Sequence, residues 1–150
     1  VIAFARFVAG LTGAHSGEFD PNSPHKVIDF LPNQSDSTDK GGTLRLGAYP
    51  CNLAKGTQIY NCYGKERIFE RHRHRYEFNN DYRDILAEKG MTISGTSPDG
   101  YIVETVELSQ CDFYVGVQYH PEFKSRPNRA HPLFLGLVGA SLRRQENEQI

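Results

Sequence analysis

The chain has 150 residues, which suits one domain, and 38% of them are hydrophobic, enough for a core. Its 17 basic and 18 acidic residues give a net charge of −1, which argues against general nucleic-acid or anionic-membrane binding as its main role. No apolar run approaches the roughly 18–20 residues of a membrane-spanning helix. The three cysteines, Cys51, Cys62 and Cys111, are scattered and form no C-x-x-C pair, so we expect neither a zinc ribbon nor a disulfide framework. We therefore also expect a cytoplasmic location.

The first half of the chain has the pattern of one helix followed by loops and strands. Apolar residues at helical spacing predict a helix over 1–11, and since the chain has no initiating Met we expect that it was cut upstream. Residues 12–26 are polar and rich in Gly and Pro, which predicts a loop, and 27–31 has the composition of a short strand. The polar insert 32–42 is expected to be a surface loop. Alternation with frequent turns over 43–78 indicates antiparallel strands and hairpins.

The second half alternates a helix, strands and a closing helix. Residues 80–90 have a capping Asn or Asp, apolar residues and a terminal Gly, the pattern of a helix. The other predicted elements are strands at 91–97, 101–108 and 113–119, the turn SPDG at 97–100, and a helix at 131–142. We assign 1–143 to one partial domain and 144–150 to a polar tail, frayed from Arg143 onward.

The segment GVQYHPEF at 116–123 places an imidazole and a carboxylate two residues apart after an apolar run. In an extended strand His120 and Glu122 would point to the same face, and Pro121 biases His120 toward extended geometry. The carboxylate could select the imidazole tautomer and stabilise the protonated ring, as a base and its orienting acid require. An ordinary surface contact at a strand end is an equally good interpretation of the local composition.

The segment ERHRHRYE at 70–77 alternates arginine with histidine and tyrosine. A strand here would place the three arginines on one face and the two histidines with Tyr76 on the other. So much charge is costly to bury unless paired, so a solvated edge strand is the favoured local interpretation. An anion clamp of arginines and a metal site through the histidines are the alternatives. The metal alternative is weak, because no Cys or third His lies at ligand spacing.

A third segment, AHSGEF at 14–19, holds a carboxylate in a Gly-flanked loop. Glu18 could bind a ligand ammonium there, although by itself a turn or capping role is the better interpretation. None of the three cysteines lies in the G-x-C-x-G elbow that exposes a nucleophile, so we expect all three to be structural. The residues therefore offer a base and an orienting acid without a nucleophile.

Together these segments resemble a known family. GVQYHPE resembles the His–Glu end of the class I (triad) glutamine amidotransferases. The segments GGTLRLG at 41–47, ERHRHRYE, and HPLF at 131–134 are similar in particular to the amidotransferase domain of the CTP synthase family. The resemblance implies an α/β fold with a mostly parallel sheet, flanking helices and a small antiparallel extension, whose N-terminal portion is missing from the chain.

In that family a Cys thiolate attacks the side-chain amide of L-glutamine, and the released ammonia aminates UTP, activated by ATP, on an N-terminal synthase domain. The resemblance implies that His120 is the general base and acid and that Glu122 orients it. It implies that Glu18 binds the glutamine α-amino group. Arg75 and the backbone around Tyr76 would complete the glutamine site.

The resemblance has further implications for partners and activity. It implies no metal and no cofactor in this domain, ATP and Mg²⁺ in the synthase domain, GTP as an activator, and a homo-oligomer formed through the synthase domain. The family's nucleophilic Cys lies upstream of the stretch similar to residues 1–6, so the 150 residues alone are expected to be inactive. The alternative is a catalytically degenerate, amidotransferase-like binding module.

Overall fold

A computed structural model of the chain describes residues 1–30 and 45–148. The predicted insert at 32–42 and the first part of GGTLRLG lie outside the described residues. Within these two ranges, no helix is long and apolar enough to cross a membrane.

The described residues form four α-helices and eight strands, and the predicted α/β class is confirmed. The helices are α1 (Ile2–Phe7), α2 (Gln58–Tyr63), α3 (Arg83–Glu88) and α4 (Pro132–Glu148). The strands are β1 (His15–Ser16), β2 (Lys26–Phe30), β3 (Arg45–Leu53), β4 (Arg67–His74), β5 (Tyr76–Phe78), β6 (Met91–Thr96), β7 (Val103–Leu108) and β8 (Val115–Val117). Two 3₁₀ turns cover Asn80–Tyr82 and Pro121–Phe123.

The strands form two sheets, and the chain passes between them next to Arg75. The smaller sheet has the order β1-β2-β5 and the larger has the order β4-β3-β6-β7-β8. Only β1 and β2 pair in parallel among the strands described, so the parallel majority implied by the resemblance is not found in this part of the chain. Short turns join β6 to β7 and β7 to β8, and such connections give antiparallel pairs. The basic strand β4 is an edge strand, paired with β3 from Arg45↔His74 to Asn52↔Arg67.

The short helix α2 lies in the stretch where only strands and hairpins were predicted. Thr57 caps it by accepting the N–H of Tyr60, and Gly64 closes it with a φ of 62°. The buried carboxylate of Glu107, on β7, accepts the first two helical N–H groups at 3.0 and 3.3 Å. A carboxylate at a helix N-terminus is favourable, so a residue far away in the sequence stabilises a helix too short to form alone.

Most other predicted elements are found within a few residues of their expected ends. The helix predicted at 80–90 is a 3₁₀ turn followed by α3, with Asn79 as its cap. The turn SPDG is closed by the Gly100 N–H, which donates to the Ser97 carbonyl at 2.8 Å. The prediction of a frayed tail from Arg143 is wrong as far as Glu148, because α4 continues to that residue.

Two buried apolar clusters fix these elements. One combines residues of α1, β2, β5, α3, β6 and β7, among them Phe4, Val27, Phe78 and Leu86. The other consists of Cys51, Leu53, Ile59, Ile68, Tyr119 and Leu133. Each large apolar side chain buried this way contributes about 1.5–3 kcal/mol. Because Tyr119 belongs to the second cluster, the core itself anchors the residue next to His120.

Candidate active site

The segment 118–120 is hydrogen-bonded to two strands of the larger sheet, β7 and β4. The Gln118 N–H donates to the Glu104 carbonyl of β7, and the His120 N–H donates to the Arg71 carbonyl of β4, each at 2.9 Å. Tyr119 is only 3% exposed. Hydrogen bonds on both sides and a buried side chain between them hold the backbone of His120 in one place.

His120 and Glu122 are in contact, as predicted, but the local geometry differs from the expected strand. His120 is extended (φ −108°, ψ 92°), whereas Pro121–Phe123 forms a 3₁₀ turn that brings the carboxylate back toward the ring. His120 Nδ1 lies 2.8 Å from Glu122 Oε1. A carboxylate can only accept, so the Nδ1 atom of the neutral ring carries the hydrogen and Nε2 keeps its lone pair.

The surroundings of this pair favour a reactive, accessible base. The Phe123 ring stacks on His120 with the ring centroids 4.9 Å apart. The pKa of Glu122 is lowered, first by its own backbone N–H and then by the hydrogen bond from His120. The two side chains are 39% and 56% exposed, so a ligand can reach the ring.

A cleft of about 460 Å³ gathers the residues predicted to bind glutamine. Glu18, Arg75 and Tyr76 all line it, although they come from two distant parts of the sequence. Its other lining residues are Ile2, Ser16, Phe19, Ile28, Arg73, His74 and Gln118. The volume falls within the roughly 300–1,000 Å³ typical of small-molecule sites. One carboxylate and two guanidinium groups match the charges of a free α-amino acid.

His120 and Glu122 are not in the lining of this cleft. Gln118, two residues before His120, does line it. The charge of His120 also contributes to lowering the pKa of His74 to about 4, after the larger effects of burial and of Arg45. His120 is thus two residues along the chain from a lining residue of the cleft, and its charge acts on another lining residue, His74.

The basic strand is solvated on one face only. Arg71 and Arg73 are exposed, whereas Glu70 and His72 are each 1% exposed. The edge-strand interpretation is confirmed for the first face and wrong for the second. The alternation stops at Arg75, which is half-buried and lies between the two sheets.

The buried face carries a cluster of ionisable groups beside the cleft. Arg45 donates to Glu104 at 2.6 Å, and His72 Nδ1 lies 2.8 Å from His74 Nε2. Burial lowers the pKa of His72 to about 3, so both histidines are neutral at pH 7. Burial raises the pKa of Glu104 to about 7, against the opposing charge of Arg45, and that of Glu77 to about 8. No pattern in the sequence indicated Glu104 as a partner, because it lies on β7.

This cluster contains a set of potential metal ligands. Atoms of His72, His74 and Glu104 lie within 4.8 Å of one another, and histidine with carboxylate is a common zinc donor set. The two ring nitrogens, however, are at hydrogen-bond distance, and Arg45 already supplies a positive charge to the carboxylate. These hydrogen bonds satisfy only part of the cluster, because four of its buried polar atoms have no hydrogen-bond partner among the described residues: Arg45 Nε, His72 Nε2, Glu77 Oε2 and Glu104 Oε2.

A second buried network of hydrogen bonds contains His131, the first residue of the HPLF segment. His131 Nδ1 accepts the Leu133 N–H at the start of α4, so its Nε2 donates, with Tyr63 Oη at 3.0 Å and Glu70 at 3.4 Å. Burial alone would raise the pKa of Glu70, but hydrogen bonds and charges from His131 and Lys124 lower it. The network connects β4, α2 and α4 to the residues that follow His120.

None of the three cysteines lines the cleft formed by the described residues. Cys51 is fully buried in β3, where burial raises its pKa to about 12. Cys62 lies in α2, and burial raises its pKa as well. Cys111 is exposed in the turn after β7. A raised pKa leaves little thiolate, so Cys51 and Cys62 are poor nucleophiles.

Comparisons with known proteins identify relatives of the chain. A family model described as "Glutamine amidotransferase class-I" matches residues 1–140. The CTP synthase of Geobacillus kaustophilus (strain HTA426) is 61% identical over 142 residues, 95% of this chain and 27% of that protein. The CTP synthase of Staphylococcus aureus (strain JH9) is 58% identical over 147 residues, 98% of this chain and 27% of that protein. The chain thus spans about a quarter of the length of these curated relatives.

Two solved structures are also similar. The glutaminase domain of Trypanosoma brucei CTPS with bound acivicin has a TM-score of 0.86 and 34% identity, covering 95% of this chain and 56% of that chain. A putative GMP synthase protein from Thermoplasma acidophilum has a TM-score of 0.53 and 15% identity, covering 71% of this chain and 49% of that chain, and supports the fold alone.

Proposed function

Because the chain belongs to the class I glutamine amidotransferase family, we propose that it is the glutaminase part of a CTP synthase. It hydrolyses L-glutamine and supplies ammonia for the ATP-dependent amination of UTP to CTP. The relatives of 58–61% identity, all named CTP synthase, support this choice within the family. The longer enzyme that contains the chain is called the parent enzyme.

One observation carries the proposal: a single cleft collects Glu18, Arg75 and Tyr76, and its lining includes Gln118, two residues before the His120 that contacts Glu122. Free glutamine has an ammonium group, a carboxylate and a side-chain amide. Glu18 pairs with the ammonium group and Arg75 with the carboxylate, since these charges are complementary. The amide is then directed toward the base.

His120 acts through the nitrogen that Glu122 leaves free. With hydrogen on Nδ1, Nε2 takes the proton of the nucleophilic thiol and later gives a proton to the leaving ammonia. Glu122 stabilises the imidazolium ion that forms between these steps. We propose that the nucleophile is a cysteine of the parent enzyme outside these 150 residues, because Cys51, Cys62 and Cys111 do not line the cleft.

The remaining parts of the reaction belong to the parent enzyme. The chain corresponds to 27% of its relatives' length, which leaves room for an N-terminal synthase domain that binds UTP, ATP and Mg²⁺ and forms a homo-oligomer. GTP is proposed as the activator, without an assigned site. Three free cysteines are consistent with a cytoplasmic, reducing environment.

Glutamate release by the purified parent enzyme tests the proposal. With glutamine, UTP, ATP and Mg²⁺ we expect glutamate and CTP to form in equal amounts. The 150-residue chain alone should release no glutamate, because the nucleophile is outside it. A degenerate binding module would instead bind glutamine, measured by calorimetry, without releasing glutamate from the parent enzyme, and that result would reject the proposal.

A further inference from the structure

The carbonyl group of Tyr76, at the wall of the cleft, is held by two side chains from different elements. His74 Nδ1 and Gln118 Nε2 each lie 3.2 Å from this oxygen. A carbonyl oxygen can only accept, so each of the two nitrogens donates its own hydrogen. One donor ends strand β4 and the other belongs to the segment that bears His120, so the oxygen connects the substrate wall to the base.

This contact also determines which ring donates in the hydrogen bond between His72 and His74. A neutral His74 with hydrogen on Nδ1 has a lone pair on Nε2, which accepts from His72 Nδ1 at 2.8 Å. The low pKa of His74, about 4 and caused first by burial, is consistent with a neutral ring. The hydrogen bonds therefore run in one order, from His72 to His74 to the Tyr76 carbonyl.

The backbone at this point needs such support because it changes sheets. The ladder between β3 and β4 ends at the pair Arg45↔His74, and the ladder between β2 and β5 begins at Phe30↔Tyr76. Arg75 lies between the two ladders, and it lines the cleft. His74 and Gln118 thus hold the Tyr76 carbonyl at the point where the chain passes from one sheet to the other.

We propose that His74 and Gln118 are positioning residues of the glutamine site, which hold the Tyr76 carbonyl so that Arg75 and its backbone meet the amino-acid end of the substrate. The inference rests on the proposed glutaminase function. His74 and Gln118 act through the backbone and have no part in proton transfer. Their loss therefore weakens glutamine binding more than turnover.

A matched pair of substitutions at His74 separates the contacts of its two ring nitrogens. Nδ1 lies near the Tyr76 carbonyl and, at 3.3 Å, Glu77 Oε1, and Nε2 lies near His72. Asn has its amide nitrogen near the place of Nδ1, so His74→Asn can keep the bond to Tyr76 and loses the contact with His72. His74→Gln places its amide near Nε2, so it can keep the contact with His72 and loses the bond to Tyr76. A merely structural histidine would tolerate the larger Gln at least as well as Asn, because Asn leaves the larger cavity.

The test measures the kinetics of both variants in the parent enzyme. For His74→Gln we expect the KM for glutamine to rise about fivefold, the effect of one neutral hydrogen bond, with kcat within about twofold of wild type. For His74→Asn we expect a KM within about twofold of wild type. CTP formation from added ammonia should be unchanged in both.

Gln118→Glu gives an independent measurement, because its carboxylate is similar in shape but cannot donate to the carbonyl. We expect a KM increase at least as large as that of His74→Gln. Equal KM values for the two His74 variants, or a wild-type KM in both His74→Gln and Gln118→Glu, would overturn the inference.

A metal at His72, His74 and Glu104 is the competing outcome. Stoichiometric zinc in the purified parent enzyme, lost in both His74 variants, would also overturn the positioning role. These failures differ from a failure of the proposed function, in which the wild-type parent enzyme would release no glutamate at all.

Discussion

At the level of single residues, the site depends on how His120 is held. The core buries Tyr119 before it, a 3₁₀ turn returns Glu122 to its Nδ1, and the Arg71 carbonyl accepts its N–H. A side chain whose backbone is fixed in this way would lose little entropy when a ligand binds. This constraint explains why the segment keeps its geometry although the ring itself is accessible.

Replacement of Glu122 should have a smaller effect than loss of His120. In Glu122→Ala the imidazole remains and water can take the place of the carboxylate, since the pair is 39% and 56% exposed. We expect glutamine-dependent kcat to fall about tenfold, the weak end of the range for a charged hydrogen bond. Steady-state glutaminase assays of the parent enzyme measure this, and a loss as large as that of His120→Ala would show that Glu122 does more than orient the ring.

Replacement of Arg75 should weaken substrate binding. In Arg75→Ala a charge-assisted contact to the glutamine carboxylate is lost, worth about 1.5–3 kcal/mol, so the KM for glutamine should rise roughly 10- to 100-fold. Arg67→Ala, at the first residue of β4, is the control, because its guanidinium bonds to Asn52. An unchanged KM in Arg75→Ala would exclude this residue as a substrate contact.

The chemistry of these residues was predictable from the sequence to different degrees. His120 and Glu122 are two positions apart, so their contact could be predicted although the turn that produces it was not. Glu18 and Arg75 were assigned from the family resemblance, and only folding brings them to one cleft. Glu104 and Gln118 were not predicted, because their partners lie on other strands and leave no pattern in the sequence.

At the level of elements, strand β4 serves both halves of the site. It accepts the N–H of His120 at Arg71, and its end at His74 supports the cleft wall. Its buried face is fixed by Glu70, which contacts Tyr63 of α2 at 3.1 Å and His131 at 3.4 Å. The short helix α2 therefore stabilises strand β4 from its buried face.

Loss of the α2 cap should loosen this support. Thr57→Ala removes the acceptor for the Tyr60 N–H and the donor to the Ala54 carbonyl, with an expected cost of about 1 kcal/mol. Hydrogen exchange of peptides covering 54–66 in the parent enzyme should become about fivefold faster. The exposed Thr12→Ala is the control, and equal exchange in the two variants would show that the cap does not limit opening of α2.

Helix α2 also shows why some elements escaped prediction. Six residues are too few for a recognisable apolar period, and the stability of α2 depends on Glu107 from β7. The turn at 97–100 was predictable because Gly100 supplies the left-handed backbone that the turn needs. Local chemistry determines such a turn, whereas distant contacts determine α2.

At the level of the whole molecule, buried ionisable groups lower the stability of the fold both as the pH falls and as the pH rises. His72 and His74 have pKa values of about 3 and 4 in the folded state, below the ordinary 6.5, so their contribution to stability is lost as the pH falls below about 6.5. Glu77 has a pKa of about 8, above the ordinary 4.5, so its contribution is lost as the pH rises toward 8.

Glu77→Gln should remove most of the loss of stability above pH 7, because Glu104, a second buried carboxyl with a raised pKa, titrates at about 7. Between pH 6.5 and 8 the wild type should lose about 1–2 kcal/mol of local stability that the neutral variant keeps. The labelling rate of the buried Cys51 in the parent enzyme, measured by mass spectrometry of its peptide, reports opening of this region. The ratio of wild-type to variant rate should grow about tenfold from pH 6.5 to 8, and a constant ratio would contradict the assignment.

The fold of the whole molecule was predictable only as a class. The α/β composition followed from the patterns and the resemblance, and the TM-score of 0.86 to the Trypanosoma brucei glutaminase domain confirms it. The division into two sheets was not predictable, because the chain crosses between them within one segment, at Arg75. Alternation along ERHRHRYE looked continuous, and nothing in it indicated the break.

The most direct test of the central claim is CTP formation by the parent enzyme carrying His120→Ala, measured with glutamine and, separately, with added ammonia. We expect glutamine-dependent formation to fall by roughly 10²–10⁴, the contribution of a general base, and ammonia-dependent formation to stay within about twofold of wild type. His25→Ala, which replaces a histidine that packs against Tyr82, should change neither rate. An equal loss of both activities, or full glutamine-dependent activity without the imidazole, would contradict the assignment of His120 as the base.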